Sequence, residues 1–254
     1  MSLLFQQSFT RLAYPFTLLM IALGGFFASL ASILRANSPA WQLGVQSLLL
    51  VTGIVWFTIA WRRTTRDMHT YGLGHRGERA VATLLAELGK DGYTLINDIE
   101  AKDAKANIDH VLIGPPGIFV IETKTLTKPG TLKPGERPLI TAKDGKLLRH
   151  GLPMDRDPIA QVRACADQLR RMLSPLPDAS NIPIHMVVAF PGWWVDASAK
   201  NVNGVHVINP KQIYTLTHDL TERSRTTGRP EEISRVYKFL AQEITRDLDA
   251  QPDN

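Results

Sequence analysis

The sequence predicts an α/β chain: a hairpin of two apolar helices at the N-terminus, followed by one soluble domain built on a mixed central sheet. Three observations lead there. Residues 1–61 contain no Asp, Glu or Lys and only two arginines, Arg11 and Arg35, so every acidic residue lies beyond Trp61. Past that point, helical and strand periodicities alternate in the order helix, three strands, helix, strand. An emphatic turn, Gly114-Pro115-Pro116-Gly117, joins two of the strands into a hairpin.

The first apolar run, Leu12 to Leu34, has 23 uncharged residues, or roughly 35 Å of helix against a ~30 Å hydrocarbon core. Gly24, Gly25 and the small residues Ala28, Ser29, Ala31 and Ser32 allow a neighbouring helix to approach closely. A second apolar run extends from Trp41 to Trp61, with an indole at each end, as expected at a membrane interface. The first run is too long for a secretory signal and a second follows at once, so both read as membrane spans, about 12–34 and 41–61. The segment Arg35 to Ala40 is a short connection between them. Arg11 precedes the first span and Arg62, Arg63 and Arg66 follow the second, with Arg35 alone in the connection. The positive-inside rule then puts both termini and the soluble domain in the cytoplasm, on a cell inner membrane.

Of the 29 Lys and Arg, two precede residue 62, so 27 cations against 24 acids leave the soluble part at +3. That mild excess permits contact with a phosphate backbone without demanding it. One cysteine, Cys165, excludes an intramolecular disulfide and suits a reducing compartment. Set in a helical pattern between Ala164 and Ala166, it reads as a small packed side chain.

Residues 62–75 read as a polar linker, and 76–220 as the α/β domain. Its first helix starts near Arg76, with Ala80, Val81, Leu84, Leu85 and Leu88 at three- and four-residue steps, and stops at Gly89 before an Asp91-Gly92 turn. Strands follow at Tyr93 to Ile99, Asn107 to Ile113 and Gly117 to Thr123. Residues 125–156, rich in Lys, Pro and Gly, read as an insertion with short strands at Leu139 to Ala142 and Lys146 to Arg149. Asp157-Pro158 opens a helix to about Leu173, Pro being tolerated in the first turn. Pro183 to Phe190 and Val205 to Ile208 are strands; Pro210 to Leu220 and, in the C-terminal segment 221–254, Glu231 to Leu248 close the chain as helices. Hairpins followed by a helical crossover imply a mixed sheet with helices on its faces.

The chemistry concentrates on the hairpin. Asp109 interrupts an apolar strand, and Glu122 and Lys124 end the next at a period of two, so both face one side. Counting outward from the turn brings Asp109 and Glu122 to neighbouring positions at one end of the hairpin. Two carboxylates held together on apolar strands repel, and burial raises their pKa values unless a cation neutralises them. A hard divalent cation, Mg²⁺ or Mn²⁺, fits such a pair, leaving room for water and a substrate phosphate. It can activate water and offset charge on a phosphoryl group, and Lys124 alongside can stabilise the same charge. The bland reading, a Glu122–Lys124 surface pair of little energetic weight, loses ground because Asp109 stands on the adjacent strand.

These motifs, in order, are Gly74-x-x-Gly77-Glu78, Asn107-Ile108-Asp109-His110, Gly117-Ile118-Phe119-Val120-Ile121-Glu122-Thr123-Lys124, and a helix opening Asp157-Pro158 with Gln161. Over about residues 70–190 they resemble the nuclease-related domain, NERD. That family is similar to the PD-(D/E)xK nuclease superfamily, with its restriction-endonuclease-like αβββαβ core. The resemblance implies that Asp109 and Glu122 bind the metal and that Lys124 is the catalytic lysine. It further implies that Glu78 supports metal or water and that Gln161 holds a polar position on the later helix. Together with the two spans, it implies a membrane-anchored, metal-dependent hydrolase of phosphodiester bonds in DNA or RNA. The alternatives are a catalytically inactive module of the same fold that tethers nucleic acid or a protein at the membrane, and an interaction protein with no nucleic-acid role.

Other residues have blander readings. His110 points to the face opposite Asp109 and reads as a packed or surface histidine. Glu78 by itself reads as a first-turn carboxylate favoured by the helix dipole, and Gln161 as a solvated helix residue. Trp193-Trp194 reads as a buried aromatic pair capping the sheet rather than a base-stacking surface. Lys128, Lys133, Arg137, Lys143, Lys146 and Arg149 make the insertion basic, either a phosphate-contacting flap or a solvated hairpin. The sequence contains no P-loop, H-E-x-x-H, G-x-S-x-G or paired C-x-x-C signature.

Overall fold

The computed structural model describes residues 3–35, 41–99, 107–130, 132, 135–177, 179–224 and 230–249. The expected connection at 36–40, Lys133 of the insertion and the C-terminal residues 250–254 lie outside them. The chain divides at Gly72 into two compact units.

The first unit holds helix α1, Leu3–Leu34, and most of helix α2, Trp41–Glu87. Within them, Ala13–Ser32 and Gly44–Thr65 have mean hydropathies of 1.7 and 1.6 and are long and apolar enough to cross a membrane. Their large side chains, Phe27, Leu48, Val51 and Trp56 among them, are exposed. The helices meet where Gly53 backs onto the Leu19 Cα and where Phe16 packs on Phe57, ring centroids 6.2 Å apart. Of the two glycines expected to allow close approach, Gly25 abuts Gln46 and Gly24 faces open space. The stretch 62–75 is helical, lying inside α2 rather than forming the expected linker. Its polar residues break the apolar run, but it holds no proline, and Gly72 and Gly74 cost only about 1 kcal/mol each inside a helix.

The second unit starts with the end of α2, which runs through a 3₁₀ turn, Leu88–Asp91, into strand β1, Thr94–Ile99. Strands β2, Ile108–Gly114, and β3, Gly117–Thr123, form the expected hairpin. Then come β4, Leu139–Lys143, β5, Lys146–Arg149, and β6, Leu152–Pro153. Helix α3, Pro158–Leu173, leads to β7, Ile184–Ala189. Strands β8, Trp194–Val195, β9, Asn201–Val202, and β10, Val205–Ile208, precede helices α4, Ile213–Arg223, and α5, Pro230–Asp249.

The main sheet has the order β1-β2-β3-β7-β10-β9 and is mixed. β1, β2 and β3 are antiparallel, β3, β7 and β10 parallel, and β9 antiparallel to β10. Strand periodicity divides its side chains between two cores. On one face Val111, Ile113, Ile118, Val120 and Val188 pack with Val162, Cys165 and Leu169 of α3 and with Val236 and Leu240 of α5. On the other, Leu112, Phe119, Ile121 and Val187 meet Val81 and Leu85 of α2 and Ile213 of α4. The C-terminal helix α5 is thus part of the same core as the sheet. Capping starts α3: the Asp157 carboxylate accepts from the Ile159 and Ala160 amides, with Pro158 in the first turn.

The insertion is a second sheet, in the order β6-β5-β4-β8. Sequence periodicity finds β4 and β5 but not β8, a two-residue strand that reaches β4 from the far side of β7. The β2–β3 turn is equally exacting. Gly117 has φ +131°, and a Cβ there would stand 2.4 Å from the Pro183 carbonyl oxygen. Gly117→Ala is expected to destabilise the protein by about 1–3 kcal/mol, read as a lowered Tm of the detergent-solubilised chain; an unchanged Tm would show that the turn is not tight.

A candidate carboxylate–lysine site

Two acids form the centre of the site, Glu122 buried and Asp109 half-buried. The β2–β3 register pairs His110 with Ile121, so Asp109 and Glu122 face each other one position beyond. There the Thr123 amide donates to Asp109 Oδ2 at 2.7 Å. Glu122 is only 3% exposed; its Oε1 lies 3.6 Å from Lys124 Nζ, and its Oε2 is buried without a hydrogen-bond partner. Lys124, 21% exposed, donates to Gln161 Oε1 at 2.9 Å. Gln161, half-buried, stands one turn before the buried Cys165 of α3. The crossover helix therefore orients the lysine, and the strand orients the acids.

Electrostatics follow from this enclosure. Burial pushes the Glu122 carboxyl well above the usual carboxylate range, Asp109 beside it pushes the same way, and Lys124 opposes both. Asp109 is raised as well, first by burial, while the Thr123 amide pulls it down. Desolvating an ion costs several kcal/mol, more than a lysine pair normally returns. The two acids are consequently short of positive charge. Cys165 is buried and its thiol is pushed up to about 11, by burial and then by the charges of Glu122 and Asp109. It stays a thiol, as its packed setting suggested.

Glu78 comes from α2 on the other side. It is half-buried, its pKa raised by burial and by Asp98, and its charge reaches both Asp109 and Glu122. What brings it in is Gly77: a Cβ there would overlap the Thr125 hydroxyl at 1.8 Å and reach the Thr125 Cβ at 3.0 Å. The glycine of the Gly-x-x-Gly-Glu motif is where helix and strand end touch. His110 is buried on the opposite face, as expected. Its Nδ1 bonds Asn97 Oδ1 at 2.7 Å and its Nε2 the Thr123 hydroxyl at 3.2 Å. Burial holds His110 down at about 4. It is therefore a neutral strut rather than a ligand.

Sequence reading missed Asp98. It sits in β1 between the pairs Asn97–His110 and Ile99–Ile108, level with Asp109, in the left-handed region at φ 52°. The signal was the Asn97-Asp98 dipeptide, two residues that tolerate that conformation better than most. Trp193 and Trp194 also part from their expected shared burial: Trp193 is buried and Trp194 is 54% exposed.

Could a divalent ion fit? The unpartnered Glu122 Oε2, two adjoining carboxylates and the shortage of positive charge match the oxygen donors that Mg²⁺ and Mn²⁺ prefer. Among the described residues no group of three or more His, Cys, Asp or Glu side chains is gathered tightly enough to hold a metal by itself. Water and substrate oxygens would have to complete the shell.

Two facing acids, a lysine and a glutamine thus stand on one hairpin and its crossover helix, and residues 73–191 match the nuclease-related domain, NERD. This part of the chain is similar to the NERD domain. No curated protein and no solved structure matches the chain. The NERD match ends just past β7, yet β10, α4 and α5 complete its sheet and both its cores.

Two outcomes are expected. Gly77→Ala should lower the Tm of the chain by the equivalent of about 1–3 kcal/mol, and Thr125→Ala in the same chain should restore part of it; no rescue would mean the contact is not the cause. Because Glu122 is raised in the folded state, folding takes up protons, and its penalty is absent below the ordinary carboxylate range and grows as pH rises through it. Glu122→Gln should therefore melt higher than the parent in metal-free buffer at neutral pH and lose that advantage in acid. Equal melting at both pH values would refute the buried charge.

Proposed function

We propose that the chain is a membrane-anchored, metal-dependent nuclease that hydrolyses phosphodiester bonds of DNA or RNA. The observation that carries this reading is the Asp109–Glu122 pair, in which the buried Glu122 has one carboxylate oxygen unpartnered and a lysine 3.6 Å from the other. Asp109 and Glu122 would hold Mg²⁺ or Mn²⁺, which when bound supplies a Lewis acid and a lowered pKa for coordinated water. The remaining roles belong to side chains. Lys124 would place its ammonium against the phosphoryl oxygens as negative charge develops, and Gln161 would hold that ammonium in position. Glu78, on the other side of the acids, would orient water through its carboxylate.

The two apolar windows support anchoring in a lipid bilayer, and the arginines flanking them support a cytoplasmic NERD domain at the inner membrane. A second reading is a binding module of the same fold that tethers nucleic acid or a protein without cutting. It is favoured by the lack, among the described residues, of a self-sufficient metal cage.

The full chain in detergent should cleave nucleic acid in Mg²⁺ or Mn²⁺ and not in EDTA. Asp109→Ala and Lys124→Ala should each slow cleavage by about a hundredfold or more while circular dichroism stays that of the parent. Variants that cut at the parental rate would end the nuclease reading, and nucleic-acid binding without cleavage in either metal would favour the module.

A further inference from the structure

The two tryptophans after β7 have different fates. Trp193 is locked inside: its Nε1 donates to the Leu126 carbonyl at 3.3 Å, and its own carbonyl accepts from Asn209 Nδ2 at 2.7 Å. Trp194 faces solvent, yet its backbone is fixed. Its amide donates to the Pro138 carbonyl at 2.8 Å, and the Asp196 amide to that of Ile140 at 2.9 Å, which clamps β8 to β4. An exposed indole is thus held on a rigid strand.

Two cations lie on this side of the sheet. The Arg137 guanidinium lies 4.1 Å from the Trp194 ring centroid. Lys128 crosses Gly192, two residues before the indole, with its Nζ 3.5 Å from where a Gly192 side chain would begin. Two carboxylates are close in the chain: Glu136 precedes Arg137, and Asp196 is turned to cap the 3₁₀ turn Ala197–Ala199 by accepting from the Ser198 amide. An exposed cation–π stack returns only about 0.5–1 kcal/mol, a poor reason to hold a large apolar ring in water.

The position connects this patch to the acids. Ala189, the last residue of β7, pairs with Thr123, so the chain leaves β7 toward Trp194 at the end of the sheet where Glu122 and Lys124 stand. Leu126, which receives the Trp193 indole, is two residues past Lys124. A nucleic-acid strand with a phosphate at the acids has this half-exposed indole and its two cations at the same end of the sheet.

We propose that Trp194, backed by Arg137 and flanked by Lys128, is a stacking platform for an unpaired base, so that the site takes nucleic acid with single-stranded character. This rests on nucleic acid being what the NERD domain binds. The physical reason for the selectivity is that a paired base already has neighbours on both faces, whereas an unpaired one has a face to offer. Stacking on an aromatic side chain is worth about 1–3 kcal/mol per base, and it is indifferent to sequence. The cations supply salt-sensitive contacts to phosphates.

The test is fluorescence anisotropy with the full chain in detergent and EDTA, using a labelled oligothymidylate, a labelled oligouridylate and a labelled DNA duplex. The parent should prefer a single strand to the duplex. Trp194→Ala should weaken single-strand binding by about five- to hundredfold and leave the duplex unchanged, and Trp194→Phe should retain most of the affinity. Single-strand binding by Trp194→Ala equal to the parent's, or an equal loss for strand and duplex, would overturn the platform. Because EDTA removes hydrolysis from the measurement, the two readings separate. Trp194-dependent binding in a chain that cuts nothing upholds the platform and removes the nuclease. Cleavage that persists while Trp194→Ala binds like the parent removes the platform alone.

Discussion

The enclosure of Glu122 beside the half-buried Asp109 is the constraint around which the second unit is arranged. Neither acid is needed for a sheet, and both would be more stable in water. They are drawn out of water, Glu122 wholly and Asp109 in part, because the turn at 114–117 sets the register of two strands whose other residues are almost all apolar and enclosed. The hydrophobic effect on both faces outweighs a local electrostatic debt. That debt is what gives the site a use for a cation.

The surrounding elements bear on the same point from different directions. α3 arrives as the crossover before β7 and carries Gln161 to the lysine. α2 arrives on the opposite face, with Glu78 brought in where Gly77 leaves no room for a side chain. The His110–Thr123 bond ties the two faces together, since Thr123 uses its hydroxyl on one side and its amide for Asp109 on the other. Displacement of either helix would therefore disturb charge balance as well as packing.

Much of this was legible from local patterns. The Gly-Pro-Pro-Gly turn and the two-residue strand period suffice to place Asp109 beside Glu122 and to point Lys124 the same way. Helix α3 was legible because Asp157-Pro158 is a start signal and its apolar steps follow a helical period. Less legible was whatever depended on distant pairing. The strand β8 is two residues long and is a strand only because β4 is beside it. Asp98 enters the site through a left-handed backbone that no periodicity reports. Residues 62–75 looked like a linker because polarity changes there, although helix formation depends on backbone hydrogen bonds that polar side chains leave intact.

By itself, the sequence determined the division into an apolar N-terminal part and an α/β domain, the hairpin and the pairing of its acids. Each of these follows from neighbours along the chain: charge, period and turn chemistry. Only the tertiary structure decided that Gln161 meets Lys124, that one oxygen of Glu122 is left unpartnered, and that of two adjacent tryptophans one is core and the other surface. Those outcomes depend on which elements far apart in sequence are packed together, and packing assigns burial atom by atom where composition assigns it only on average.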